Sequence, residues 1–142
     1  MKINNKKDGK EFFENFFREY SKKYKIFLFK GDLGSGKTFY ISHIIGGFKK
    51  KQYINSPTYT IMNTYNDEKP YFFHADLYRL ENVEDVFETG IVDLLNEDGF
   101  FLIEWPDRFL ELFNNFPYVL IEITEGIHEE EREVKISENI IH

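Results

Sequence analysis

Residues 31–38 read Gly31-Asp32-Leu33-Gly34-Ser35-Gly36-Lys37-Thr38, a full match to G-x-x-x-x-G-K-[ST]. Chance gives that pattern in roughly one chain of this length in 200. It constrains the fold because the loop works only between a strand that delivers it and a helix that begins inside it. Both flanks fit. Ile26-Phe27-Leu28-Phe29 is a short apolar run that reads as a buried strand, and Phe39, Ile41, Ile44, Ile45 and Phe48 recur close to a helical spacing. The glycines allow the backbone to curl until successive N–H groups converge on an anion. In such a loop Lys37 reaches the β- and γ-phosphate oxygens and the Thr38 hydroxyl meets Mg²⁺. The sequence therefore predicts a nucleoside triphosphate site over Asp32, Leu33, Gly34, Ser35, Gly36, Lys37 and Thr38.

A chain of 142 residues is expected to form one domain over 1–142, large enough to bury a core. Its 16 phenylalanines and 9 tyrosines make aromatic packing the main source of that core. No apolar run is long enough to span a membrane, and no leader-like segment follows Met1. The absence of cysteine excludes disulfides and thiolate metal sites and fits a cytoplasmic protein. A net charge of −7 argues against extended contact with a nucleic-acid backbone, which wants clustered positive charge. It leaves a phosphate loop unaffected, because helix termini create their own local positive field.

Periodicity predicts an amphipathic helix over Asp8 to Lys23, with Phe12, Phe13, Phe16, Phe17 and Tyr20 on one face. After the loop and its helix, 52–55 reads as a strand. Tyr59 to Tyr65 and Tyr71 to His74 read as a hairpin around a polar turn at 66–70. Asn82 is placed to cap a short helix over Val83 to Glu88, Gly90 breaks it, and Ile91 to Leu95 makes a further turn. Phe100 to Ile103 is a second wholly apolar strand, and a helix follows from Pro106 to Phe113. Tyr118 to Thr124 and Arg132 to Ser137 close the chain as strands joined by an acidic segment. The expected fold is α/β: three layers, a P-loop nucleotide-binding domain with a mixed, mostly parallel central sheet.

A phosphate loop also needs an acid to hold Mg²⁺, usually at the end of a neighbouring apolar strand. Glu104 and Asp76 each end such a run. Glu104 is the better candidate because its strand is more completely apolar, leaving Asp76 to position water or support the metal shell. Thr58, after a strand and before a polar hairpin, is a candidate switch residue facing Mg²⁺ or the γ-phosphate. His74 reads as a packing residue and Trp105 as core or as an aromatic anchor. Asn5-Lys6-Lys7-Asp8 mimics the N-K-x-D guanine motif, but no strand precedes it and no D-x-x-G follows the loop, so ATP is expected rather than GTP.

Taken together, G-D-L-G-S-G-K-T at 31–38, S-P-T-Y at 56–59, H-A-D-L-Y-R-L at 74–80 and I-E-W-P at 103–106 closely resemble the TsaE (YjeE) family. The resemblance covers nearly the whole chain. It implies a P-loop ATPase of tRNA threonylcarbamoyladenosine synthesis that works with TsaD and TsaB and meets tRNA only through them. It also implies that Thr38 and Glu104 sit at Mg²⁺ and that Asp76 and Trp105 are functionally important. Arg132 resembles a late family arginine near the nucleotide. The chain has Phe39 where family members commonly carry a second hydroxyl, so only the Phe39 backbone N–H is left to serve the α-phosphate. Two other functions share the loop: a small metabolite kinase, and a nucleotide-sensing module without turnover. The short chain without an arginine-rich lid argues against the first.

Overall fold

A computed structural model describes residues 1–50, 54, 57 and 61–141. Its described strands form one seven-stranded sheet. The elements run β1 (Lys2–Ile3), α1 (Lys6–Tyr20), β2 (Ile26–Lys30), α2 (Lys37–Phe48), β3 (Met62–Tyr65) and β4 (Phe72–Asp76). Then follow α3 (Val83–Glu88), α4 (Ile91–Leu94), β5 (Phe100–Glu104), a 3₁₀ helix (Asp107–Phe113), β6 (Tyr118–Glu125) and β7 (Arg132–Asn139). The strand order is β1-β7-β6-β2-β5-β4-β3. The four central strands β6, β2, β5 and β4 are mutually parallel, and the flanking strands β7, β1 and β3 pair antiparallel. This is the expected mixed α/β domain. Ile26, Phe27, Leu28 and Phe29 of β2 are all fully buried, as a central parallel strand covered on both faces requires.

Alternation along the strands builds two cores. Phe27, Phe29, Phe72 and Leu102 point toward α1 and α2, whereas Ile26, Leu28, Phe73, Phe101 and Ile103 point toward α3, α4 and the 3₁₀ helix. The α1 face is aromatic: Phe17 packs against Phe27, Phe72 and Phe100 with ring centroids 5.2–5.8 Å apart.

Local sequence explains most boundaries. The helix expected from Asp8 begins earlier, at Lys6, because Asn5 is the N-cap and its side chain accepts the Asp8 N–H at 2.9 Å. The Asn5–Asp8 spacing that mimics a guanine motif is thus a helix cap. Asn82 caps α3 as expected, within a reciprocal capping box with Asp85. Two elements differ from expectation. The segment after Pro106 is a 3₁₀ helix with a break at Phe109, and Pro106 precedes it as its cap residue. The two-residue strand β1 is too short to carry a periodic signal; pairing with Glu133 and Arg132 creates it. The strand expected over 52–55 lies outside the described residues, apart from Ile54, which packs on the aromatic core.

Gly9 lies inside α1 where α2 crosses it. A Cβ there would sit 2.6 Å from Cε1 and Cζ of Tyr40, a buried ring held 4.5 Å from Phe13. Replacing a helical glycine by alanine ordinarily adds up to about 1 kcal/mol. Here the forced shift of Tyr40 outweighs that gain, because overpacking a tight site costs about 1–3 kcal/mol. Gly9→Ala is expected to lower the denaturant midpoint; a raised midpoint in urea unfolding would show that Tyr40 yields freely.

Candidate functional site

The carboxyl ends of β2, β4 and β5 lie side by side in register, with Phe29 opposite Glu104 and Glu104 opposite Asp76. Each strand delivers one part of a site to the same sheet edge, where open α/β sheets bind ligands. From β2 the chain enters the glycine-rich loop and turns into α2. Gly34 and Gly36 have φ of 84° and 107°, left-handed values that let the loop fold around an open centre. The first-turn N–H groups of α2 have no intrahelical acceptor, and Lys37, Thr38 and Phe39 line the cavity at that end. The cavity measures about 540 Å³ and is lined by the loop, Asp76, Glu104 and Trp105, together with Lys6, Glu129, Glu130 and Arg132.

Glu104 is 2 % exposed. A carboxylate so deeply buried needs donors. Two side chains supply them. The Thr38 hydroxyl lies 2.8 and 2.9 Å from the two Glu104 oxygens, and His74 Nε2 lies 2.6 Å from Oε2. Sequence positions 38, 74 and 104 thus meet in one cluster, with His74 and Glu104 buried and Thr38 half-buried.

Lys37 is buried and turned back on its own loop. Its ammonium donates to the carbonyls of Gly31 and Asp32, the latter at 3.2 Å, and lies 4.0 Å from the Trp105 ring centroid. Burial pulls the Lys37 pKa down, against the opposing pull of Glu104, Asp76, Asp107 and Asp32. Trp105 reaches that position because its own backbone is left-handed, with φ 57°, while its N–H still donates to the Phe29 carbonyl at 3.2 Å. A bulky residue in that conformation is strained, and such strain clusters at functional sites. On its other side Trp105 packs against the half-exposed Tyr78, centroids 4.7 Å apart.

Leu33, Gly34, Ser35, Gly36, Lys37, Thr38, Phe39 and Arg132 all line the cavity, together with both acids. Asp32 does not. It contributes its carbonyl to the loop, accepting from the Ser35 N–H at 3.0 Å. Phe39 is partly exposed beneath the ammonium groups of Lys6 and Lys10, 5.4 and 5.6 Å from its ring centroid. Arg132 Nε donates to the Ser35 carbonyl at 2.9 Å and Nη2 to that of Gly34 at 3.2 Å. Nη1 bridges the carbonyls of Glu129 and Glu131, so the guanidinium ties β7 to the back of the loop. Thr58 lies outside the described residues. Sequence reasoning missed two features: His74, read as packing, is a partner of the buried acid, and Lys37 and Trp105 are in contact.

Strand, glycine-rich loop and helix, opening onto acids at the ends of parallel strands, define a P-loop α/β domain. The family model for "Threonylcarbamoyl adenosine biosynthesis protein TsaE" matches residues 3–134. The chain belongs to the TsaE family. It is 36 % identical over 100 residues to the tRNA threonylcarbamoyladenosine biosynthesis protein TsaE of Haemophilus influenzae, covering 70 % of this chain and 63 % of that relative. It is 38 % identical over 106 residues to the same protein of Rickettsia prowazekii, covering 74 % and 72 %. The match thus spans less than two thirds of the Haemophilus relative's length. In three dimensions the chain is similar to the crystal structure of Bacillus subtilis YdiB, with a TM-score of 0.68 and 23 % identity over 94 % of this chain and 80 % of that one. That likeness bears on the fold.

Asp76 is half-buried between Glu104 and the Tyr78 N–H, which donates to Oδ1 at 3.0 Å. Burial raises its pKa, and the Glu104 charge adds to the effect, against the Tyr78 hydrogen bond and Lys37. An acid whose folded pKa exceeds its unfolded value binds more protons when folded, so its contribution to stability improves as pH falls through the folded pKa. Asp76→Asn keeps the acceptor and removes the charge. The variant is expected to melt above the wild type at pH 7, with the gap closing as pH falls toward 4 in thermal scans. A gap that is constant with pH would exclude the charge as its cause.

Proposed function

We propose that this chain is a Mg²⁺-dependent ATPase of tRNA threonylcarbamoyladenosine biosynthesis that reaches its full rate only when docked on TsaD and TsaB. The observation that carries the ATPase reading is the Thr38–Glu104 pair beneath the glycine loop. A hydroxyl at the start of α2, held by a buried carboxylate at the end of the next strand, is what a loop-bound Mg²⁺ requires. Family membership supports the pathway and the partners.

The residues fit the ligand. The loop offers backbone N–H groups and a cavity large enough for a nucleotide. Among the described residues no group of three or more His, Asp or Glu side chains could hold a metal alone. Mg²⁺ suits such a site, because it keeps several waters and takes only one or two protein ligands beside substrate phosphates. When bound, Mg-ATP supplies the phosphoryl group and the charge that neutralises it. The chain's own groups do the rest. Thr38 and Glu104 hold the metal side, and the α2 N-terminus with the Gly34–Gly36 backbone binds the phosphates. Lys37 leaves the Gly31 and Asp32 carbonyls to reach the β- and γ-oxygens. Asp76, at the same edge and unburdened by Thr38, positions the attacking water. Phe39 offers its backbone N–H to the α-phosphate, and Arg132 braces the loop from behind. Thr58 is proposed as the switch residue.

Lys37→Ala removes a charge-assisted contact of about 2–3 kcal/mol. Calorimetry is expected to show Mg-ATP affinity falling by roughly 30- to 150-fold, since each 1.4 kcal/mol is tenfold. Unchanged affinity in a folded Lys37→Ala protein would refute the site.

Partner dependence is tested by single-turnover hydrolysis of bound ATP, by the isolated chain and after reconstitution with TsaB and TsaD. Rate acceleration of at least tenfold in the complex is expected. Equal rates would show a site already complete.

A further inference from the structure

His74 is fully buried on β4, in the run Phe72-Phe73-His74-Ala75, yet no part of the phosphate chemistry above uses an imidazole. A polar group in that position costs free energy unless it is hydrogen-bonded. Among the described residues its one side-chain hydrogen bond is the 2.6 Å approach of Nε2 to Glu104 Oε2, and Nδ1 is buried without a hydrogen-bond partner. Together these fix the tautomer. A carboxylate oxygen only accepts, so Nε2 carries the hydrogen. Placing it on Nδ1 would set two lone pairs against each other and bury an unsatisfied N–H. The reach is diagonal across the sheet: His74 is opposite Leu102, and its side chain serves the acid two residues further along β5.

We propose that His74 is a positioning residue that fixes the Glu104 carboxylate for the metal side of the site. The donated Nε2–H holds Oε2, so the carboxylate plane cannot rotate away from Thr38, and Oε1 is left to the Thr38 hydroxyl and the metal's shell. Without that donor one hydroxyl would have to satisfy both oxygens of a buried carboxylate. The proposal rests on the reading of Glu104 as the metal-side acid. Partners that orient a ligand in this way are commonly worth 10- to 100-fold in metal affinity.

Two amide substitutions separate position from polarity. A glutamine amide nitrogen reaches the place of Nε2, whereas an asparagine amide reaches only the place of Nδ1. The experiment measures ADP binding by calorimetry, in EDTA and across a Mg²⁺ titration, for wild type, His74→Asn, His74→Gln, Glu104→Gln and the His74→Asn/Glu104→Gln double variant. His74→Asn is expected to raise the Mg²⁺ concentration for half-maximal enhancement of binding by about tenfold or more. Metal-free ADP affinity should stay at the wild-type value, His74→Gln should recover most of the loss, and the double variant should be no worse than Glu104→Gln. A long-range ¹H–¹⁵N spectrum of the labelled wild type, assigned by the signals missing in His74→Gln, reads the tautomer without any variant needing to bind ligand. A hydrogen on Nδ1 with none on Nε2 overturns the proposal. So does wild-type Mg²⁺ dependence in His74→Asn while Glu104→Gln is impaired, or equal losses in metal-free and Mg²⁺-supported binding. If Glu104→Gln itself keeps the wild-type Mg²⁺ dependence, the metal reading of Glu104 fails and the role of His74 fails with it.

Discussion

The ligand edge of this sheet is organised by one buried negative charge. Glu104 sits at the end of a strand whose preceding three residues are wholly buried, and its carboxylate is nearly as inaccessible as they are. Leaving it unpaired would cost several kcal/mol, so the fold has to bring donors to it. One comes from the start of α2 and the other from β4. The pairing locks three elements together at the place where a ligand would enter. The geometry of α2 relative to β5 is therefore a consequence of the same contact that prepares the site.

The loop has a second, opposite electrostatic arrangement. Lys37 is drawn back onto carbonyls and an aromatic face, an arrangement that partly satisfies a buried ammonium while its pKa is pulled down by burial. Lys37 is thus engaged by neutral acceptors, which on the proposed function a charged phosphate oxygen would outcompete. Trp105 adopts a strained backbone to serve as one of those acceptors, and its far face carries the half-exposed Tyr78. Any movement of Lys37 toward a ligand therefore changes the environment of an aromatic pair at the surface.

Much of this was legible in the sequence, for physical reasons that differ by element. β2 and β5 announce themselves as unbroken apolar runs because parallel strands are covered on both faces. The glycine loop is readable because only glycine tolerates the backbone at Gly34 and Gly36. α1 is readable from its aromatic stripe, although its true start depended on Asn5, whose capping role was hidden inside a false guanine motif. The proline at 106 correctly marked a helical start but could not distinguish a 3₁₀ helix from an α-helix. His74 was not legible. Its partner lies thirty residues away, and only the parallel pairing of β4 with β5 brings the two together. The left-handed Trp105 is likewise set by packing, since tryptophan has no preference for that conformation.

The balance of charge around the cavity bears on the proposed dependence on a partner. Phosphoryl transfer needs cations or donors at the oxygens that gain charge in the transition state. Lys37 is the cation buried beneath the loop. Arg132 lines the cavity, but its guanidinium already donates to the carbonyls of Gly34, Ser35, Glu129 and Glu131, and withdrawing it would release the loop it braces. Arg108, in an exposed position, donates to the Tyr78 carbonyl at 3.0 Å. Glu129 and Glu130 add negative charge to the rim, with Glu130 accepting the Lys6 N–H at the start of α1. On the proposed function, the described residues are therefore better equipped to bind phosphate than to stabilise its transfer. On the same proposal, a docked surface that supplies a cation opposite Lys37 would correct that imbalance, and beside Trp105 the half-exposed Tyr78 offers an aromatic contact at the surface.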